Sequence, residues 1–191
     1  DSFILSKGHA AAVTSLNQAD IGCFSKEAFF DEYATDGGRF SMHSCKLVNP
    51  FVEASTGSLG HGLSIGAGIA EGLRRKDNMA SRVYVIMGDG EQCEGSVWEA
   101  AMHASHYRLG NLVAIIDRNG LEADGTTDAL TGLADISKKY KSFGWNVIQI
   151  NGHKVKEIVE AFDQLPLPSS DTPTAIIGKT VKGNGVSFME N

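Results

Sequence analysis

Two short motifs carry side chains that could bind a metal ion and a phosphate group. Gly88-Asp89-Gly90 follows one apolar run, and Asp117-Arg118-Asn119-Gly120 follows the next, so that Asn119 comes about thirty residues after Asp89. The glycines of the first motif allow a sharp turn and the close approach of a ligand to the carboxylate. A carboxylate and a carboxamide oxygen suit a hard cation such as Mg²⁺, which keeps open positions for water and phosphate oxygens. The pair therefore indicates a magnesium site that could hold a diphosphate.

A βαβ unit is predicted to position these motifs. Residues 83–87 and 112–116 have the length and β-rich composition of buried strands. Residues 91–109 between them show helical spacing, with acidic residues in the first turns, where the helix dipole favours them. Strands joined in this way run parallel. Both motifs should then face one crevice at the carboxyl edge of the sheet, where ligands bind.

The remaining segments predict more strands and helices around the same sheet. The predicted strands are residues 3–5, 145–150 and 174–178, and the predicted helices are residues 10–19, 26–33, 63–75, 133–143 and 155–165, with Ser25 as an N-cap. We therefore predict an α/β fold, a doubly wound parallel sheet with helices on both faces, in one domain over residues 1–191. Because the first residue is Asp1 rather than Met, we expect further residues upstream.

The sequence around both motifs resembles the thiamine diphosphate motif of transketolases, which opens with Gly-Asp-Gly and closes on an Asn about thirty residues later. Similar segments are Ser6-Lys7-Gly8-His9 and residues 53–64, 88–91, 94–100 and 110–115. The resemblance implies a diphosphate-binding domain that binds thiamine diphosphate and Mg²⁺, with Ca²⁺ or Mn²⁺ as alternatives. It implies that the metal ligands are Asp89, Asn119 and the backbone carbonyl of Leu121. It further implies cofactor contacts at His9, Gly57, Ser58, Leu59, Asp89, Gly90, Glu91, Asn119 and Lys182.

The resemblance also assigns catalytic roles to His9, His43 and Glu94, the histidines as donors near substrate and cofactor oxygens. Structural alternatives stay open for each of them. His9 at a helix start could be a capping or surface residue, and His43 could be an exposed loop residue, since Met42 and Ser44 replace the glycine and proline of the family's Gly-His-Pro.

Three other groups of residues have equally plain alternatives. The glycines of residues 57–62 could serve helix packing, and Lys182 after a strand could be solvated. Glu94 and Glu99 match family positions at a subunit interface, where they link paired active sites, although carboxylates on an exposed helix face are normally solvated.

Bulk composition excludes several classes of protein. The net charge is −6, with acidic and basic residues interspersed, which argues against a nucleic-acid or anionic membrane surface. The three cysteines lack CxxC spacing, so neither a disulfide framework nor a zinc site is indicated. No apolar run reaches membrane length and no signal peptide is recognisable. A reducing, cytoplasmic setting is expected.

The transketolase resemblance implies transfer of a two-carbon ketol unit from a ketose phosphate to an aldose phosphate. It implies a partner, a C-terminal subunit or domain that carries the pyrimidine-binding domain, within a homodimer or heterotetramer. Deoxyxylulose-phosphate synthase, a 2-oxoacid dehydrogenase subunit and a non-catalytic cofactor-binding subunit stay open as alternatives. A NAD-binding Rossmann protein is disfavoured, because no GxGxxG joins a first strand to a helix.

Overall fold

The computed structural model describes residues 1–190 and is built around two sheets. The strands are β1 (Ser2–Leu5), β2 (Val83–Gly88), β3 (Leu112–Arg118), β4 (Leu121–Glu122), β5 (Gly125–Thr126), β6 (Asn146–Asn151) and β7 (Thr174–Lys179). Five of them form one sheet in the order β1-β2-β3-β7-β6, and every neighbouring pair in it is parallel. β4 and β5 form a separate antiparallel hairpin. The predicted parallel sheet is thus confirmed.

Seven α-helices within the described residues surround the sheet. They are α1 (Ala11–Asp20), α2 (Lys26–Glu32), α3 (His61–Arg75), α4 (Gly95–His106), α5 (Thr127–Leu130), α6 (Ile136–Ser142) and α7 (Val155–Asp163). Ser25 caps α2, as predicted, because its side chain accepts a hydrogen bond from the Ala28 N–H at 3.1 Å.

Buried side chains cover both faces of the sheet. On one face Val83, Val85 and Met87 of β2 are fully buried in a large cluster with α3, α4 and α6. On the other face Val113 of β3 and Ile176 of β7 pack with α7 in a smaller cluster. Alternate residues of parallel strands point to opposite faces, so both faces must be apolar. This arrangement confirms the doubly wound α/β fold.

The single helix predicted for residues 91–109 is wrong in its first turn. Gly90–Cys93 form a 3₁₀ turn, Glu94 is extended, and α4 starts only at Gly95. No acidic residue lies in the first turn of α4, so the expected dipole stabilisation is absent there. The reason is that Glu91 and Gln92 are buried and hydrogen-bonded inward, which holds the backbone away from a regular helix.

Two other predicted helix boundaries also shifted. α3 begins at His61 rather than at residue 63, after Gly60 in the left-handed conformation with φ 86°. α6 begins at Ile136 rather than at residue 133, because the Asp135 side chain accepts hydrogen bonds from the Ser137 and Lys138 N–H groups and caps it there. Within the described residues, no helix is both long and apolar enough to cross a membrane.

Candidate functional site

Asp89 joins the ends of β2 and β3. Gly88 and Asp117 are register partners on these strands, so the segments that follow them start side by side. Asp89 is 2% exposed, and its carboxylate accepts hydrogen bonds from the Gly120 N–H at 2.7 Å and the Gly90 N–H at 3.0 Å. The two motifs therefore meet at the carboxyl edge of the sheet, as the parallel pairing predicted.

Burial raises the pKa of the Asp89 carboxyl group above its ordinary value. The two amide donors, Gly120 and then Gly90, act against this rise, while the nearby charge of Asp117 adds to it. A metal cation bound at Asp89 would oppose the rise, because an opposite charge favours the ionised form.

The donor atoms expected for a metal come from one short stretch of backbone and two side chains. The Asn119 Oδ1 accepts a hydrogen bond from the Leu121 N–H at 2.9 Å, which folds the carboxamide over the turn that carries Leu121. One carboxylate, one carboxamide and one carbonyl are hard oxygen ligands of the kind Mg²⁺ takes. Within residues 1–190 no three His, Cys, Asp or Glu residues are grouped as a metal site. A metal here would depend on this mixed set.

Open space lies over the strand ends. A Cβ atom added to Gly88 or Gly120 would meet no heavy atom within 4 Å. Beside Asn119 a hollow of about 330 Å³ is lined by Arg118, Lys179 and Thr180. Two cationic side chains around a hollow in a chain of net charge −6 suit an anionic ligand. The chemistry of this edge fits a metal-bound diphosphate.

The two candidate catalytic histidines lie together. The rings of His9 and His43 have centroids 5.1 Å apart in an edge-on arrangement. The His43 ring packs on two glycines: Cβ atoms added to Gly8 and Gly57 would lie 2.7 Å and 3.2 Å from its Cδ2. The altered neighbours of His43 do not remove it from the site. The structure thus brings the His9 turn, the His43 loop and the glycine loop at 57–59 to one place.

A buried carboxylate ties this glycine loop to the Asp89 turn. Glu91 is 2% exposed, and its Oε1 accepts hydrogen bonds from the Ser6 hydroxyl and from the Gly60 N–H at 2.8 Å. Its Oε2 accepts from the Gly88 N–H at 3.1 Å. Ser6 belongs to the transketolase-like segment before His9, but nothing in the sequence indicated that it would pair with Glu91.

Other hydrogen bonds brace the same edge and were not anticipated. Lys7 pairs with Asp117, whose other oxygen accepts from the Thr180 hydroxyl. Gln92 donates to the Gly88 carbonyl at 3.0 Å and accepts from the Tyr140 hydroxyl at 2.9 Å. Burial raises the pKa of Tyr140, which keeps it a donor. Polar residues that terminate buried strands were the only local signal for this bracing.

The remaining predicted residues lie at the surface. Ser58 and Lys182 are exposed, as are Glu94 and Glu99. Glu94 nonetheless lies against the glycine loop, because a Cβ atom added to Gly60 would be 2.6 Å from the Glu94 Cβ. The functional roles of these four residues stay predictions.

Comparison with known proteins places this site in context. A family model described as "Transketolase, thiamine diphosphate binding domain" matches residues 1–191. One of the two subunits of an apulose-4-phosphate transketolase from Phocaeicola vulgatus is 40% identical over 190 residues, which cover 100% of this chain and 66% of that protein. The 6-deoxy-6-sulfo-D-fructose transketolase subunit SqwG of a Clostridium species is 36% identical over 190 residues, covering 100% of this chain and 68% of that subunit.

The fold comparison agrees with these relatives. The structure of Pichia stipitis transketolase in complex with sedoheptulose 7-phosphate matches with a TM-score of 0.89 and 29% identity, over 97% of this chain and 29% of that chain. This chain therefore spans about two thirds of the length of the two subunit relatives and under a third of the Pichia enzyme.

Proposed function

The chain belongs to the transketolase family through its thiamine diphosphate binding domain, and on that premise we propose that it supplies the diphosphate-binding half of a ketol-transferring active site. The reaction is transfer of a two-carbon ketol unit from a ketose phosphate to an aldose phosphate. The observation that carries the proposal is the hydrogen bond between Asp89 and Gly120, because it joins the two halves of the cofactor motif at the open sheet edge. Residues 1–191 act as one domain in this proposal.

Asp89, Asn119 and the Leu121 carbonyl would hold Mg²⁺, with Ca²⁺ or Mn²⁺ able to replace it. The metal bridges to the diphosphate, because helix-dipole interactions of about 0.3–1 kcal/mol each are too weak to hold a multiply charged group. Thiamine diphosphate, when bound, supplies the nucleophilic carbon and the electron sink needed to break a carbon–carbon bond. The Gly90 N–H and the exposed Lys182 side chain add donors and positive charge for phosphate oxygens.

The chain's own residues bind, orient and exchange protons around the cofactor. Gly57, Ser58 and Leu59 present backbone to its rings, since the glycine at 57 leaves room for close approach. The adjacent His9 and His43 move protons to and from oxygens of the sugar and the cofactor, which the ordinary pKa of imidazole allows near neutral pH.

A second polypeptide completes the site in this proposal. Two relatives that this chain matches over its full length are named as transketolase subunits, which supports a separate partner. We assign to that partner the pyrimidine-binding domain, with the glutamate that activates the aminopyrimidine, in a homodimer or heterotetramer. The exposed Glu94 and Glu99 would be covered by this contact. Three free cysteines agree with a reducing, cytoplasmic setting.

The test of this function is reconstitution. The purified chain with Mg²⁺ and thiamine diphosphate should bind the cofactor, measured by calorimetry, and should not bind NAD. It should show no ketol transfer on a panel of sugar phosphates until the partner subunit is added. Turnover by the chain alone would contradict the split site. Cofactor binding without turnover in the full assembly would identify a non-catalytic subunit.

A further inference from the structure

Glu91 is a buried carboxylate without a cationic partner among the described residues. Lys7, which lies at the same edge of the sheet, pairs with Asp117 instead. Three donors satisfy the Glu91 carboxylate: the Ser6 hydroxyl and the Gly60 and Gly88 N–H groups. Carboxylates are rarely fully buried unless they are paired. A buried charge of this kind is costly to keep for stability alone.

The three donors come from three different segments of the site. Ser6 directly follows β1 and precedes His9 by three positions, Gly60 ends the glycine loop at 57–59, and Gly88 ends β2 just before Asp89. We propose that Glu91 is a positioning residue whose carboxylate fixes these three segments in one arrangement, an inference that rests on the proposed function. The oxygens of Glu91 are occupied by protein donors, so it acts through the neighbouring segments rather than by touching the cofactor.

Further contacts show how the arrangement is transmitted. The Ser6 hydroxyl oxygen also accepts from the Gly62 N–H at 3.1 Å, and the Ser96 hydroxyl donates to the Gly60 carbonyl at 2.9 Å. The Gly60 peptide is therefore held from both sides, in a left-handed conformation with φ 86° that a side chain would strain. A shift of Glu91 would move the glycine loop and the Asp89 turn relative to each other.

Substitution of Glu91 by Gln tests the carboxylate with little change in volume. Glutamine has one acceptor oxygen, and its NH₂ group can only donate. In either orientation of the carboxamide, the NH₂ group faces the Gly60 N–H or the Gly88 N–H, and two donors oppose each other. Glu91→Gln should therefore release one backbone amide, whereas Ser6→Ala should release the Gly62 N–H and leave Gly88 paired.

The first measurement is amide hydrogen exchange of the full chain without cofactor. Glu91→Gln should speed exchange at Gly60 or Gly88 by about tenfold or more, while β6 and α7 stay unchanged. Ser6→Ala, a milder change, should speed exchange at Gly62 only. The control is Asn111→Ala, which removes a buried hydrogen bond to the Ala70 carbonyl at the opposite, amino edge of the sheet. Unchanged exchange at both Gly60 and Gly88 in Glu91→Gln would overturn the inference.

The second measurement is the affinity for thiamine diphosphate with Mg²⁺, compared with the melting temperature of each cofactor-free variant. Loss of an outer partner of a metal ligand weakens binding about 10–100-fold, and we expect Glu91→Gln to fall in that range. Asn111→Ala should lower the melting temperature yet keep the wild-type affinity within a few-fold. Equal affinities of wild type and Glu91→Gln would refute the positioning role. A wild-type chain that binds no thiamine diphosphate would instead refute the proposed function, while the exchange data still decide the role of Glu91.

Discussion

Asp89→Asn should separate binding from stability in this domain. The substitution keeps the shape of the side chain and removes the charge that the proposed metal needs. It also keeps one acceptor oxygen for the two amide donors that lie 2.7 Å and 3.0 Å from the carboxylate, those of Gly120 and Gly90. The effect on cofactor binding should therefore be large and the effect on the fold small.

The size of each effect follows from these contacts. A donor left without a partner costs about 1–3 kcal/mol, but removal of a buried charge offsets part of that cost. We expect the unfolding free energy of the cofactor-free chain at neutral pH to change by less than about 2 kcal/mol. A lost ligand between metal and diphosphate should weaken binding by at least about 100-fold, which corresponds to about 2.8 kcal/mol.

The pH dependence gives the prediction a sign. Burial, with a contribution from Asp117, raises the pKa of Asp89, so the folded chain keeps this proton to a higher pH than the unfolded chain does. In cofactor-free wild type, the unfolding free energy should then fall as pH rises from about 4 through the raised pKa. The asparagine cannot titrate, so the variant should gain stability relative to wild type over that window.

Urea unfolding from pH 4 to 8 and calorimetry with Mg²⁺ and thiamine diphosphate measure both quantities. Asp163→Asn, at the end of α7 far from the site, is the matched control for the loss of one charge. Binding by Asp89→Asn within a few-fold of wild type would show that the metal site is misplaced. A variant that loses stability relative to wild type as pH rises would refute the argument from burial.

Two further outcomes are expected. Gly60→Ala should destabilise the chain by about 2 kcal/mol in urea unfolding, because its backbone is left-handed and its Cβ would lie 2.6 Å from the Glu94 Cβ; Gly72→Ala, with open space around it in α3, should be neutral or slightly stabilising, and equal costs would contradict this reasoning. In the active assembly, His9→Ala and His43→Ala should lower turnover more than cofactor affinity, compared by steady-state kinetics and calorimetry; full activity of His43→Ala would mean that its loop position carries no substrate contact.

The parts of the site that were predictable from sequence follow general rules of chain geometry. Parallel strands end at one edge, so the meeting of Asp89 with the Asn119 turn could be derived from the two apolar runs and the helix between them. The proximity of His9 and His43 could not be derived in this way, because an irregular loop separates them. Only the family resemblance indicated that these histidines belong to one site.

The role of Glu91 was hidden for a physical reason. Periodicity treats a glutamate near a helix start as solvent-facing and favoured by the dipole, and this produced the wrong helix at residues 91–109. In the structure its carboxylate points inward to Ser6, 85 positions away in sequence. A hydrogen bond over that separation depends on the completed sheet and leaves no trace in local spacing.

The position of β1 has a consequence for folding kinetics. β1 is an edge strand that pairs only with β2, and Ser2 has Val83 as its register partner, so the contact closes a loop of about eighty residues. Closure of so long a loop carries a large entropic cost before any contact offsets it, and such non-local pairing slows folding. The unit of β2, α4 and β3 needs no such closure and should form earlier. Since Ser6 and His9 follow β1 directly, refolding chains should become competent for the cofactor only in the slowest phase, when β1 docks.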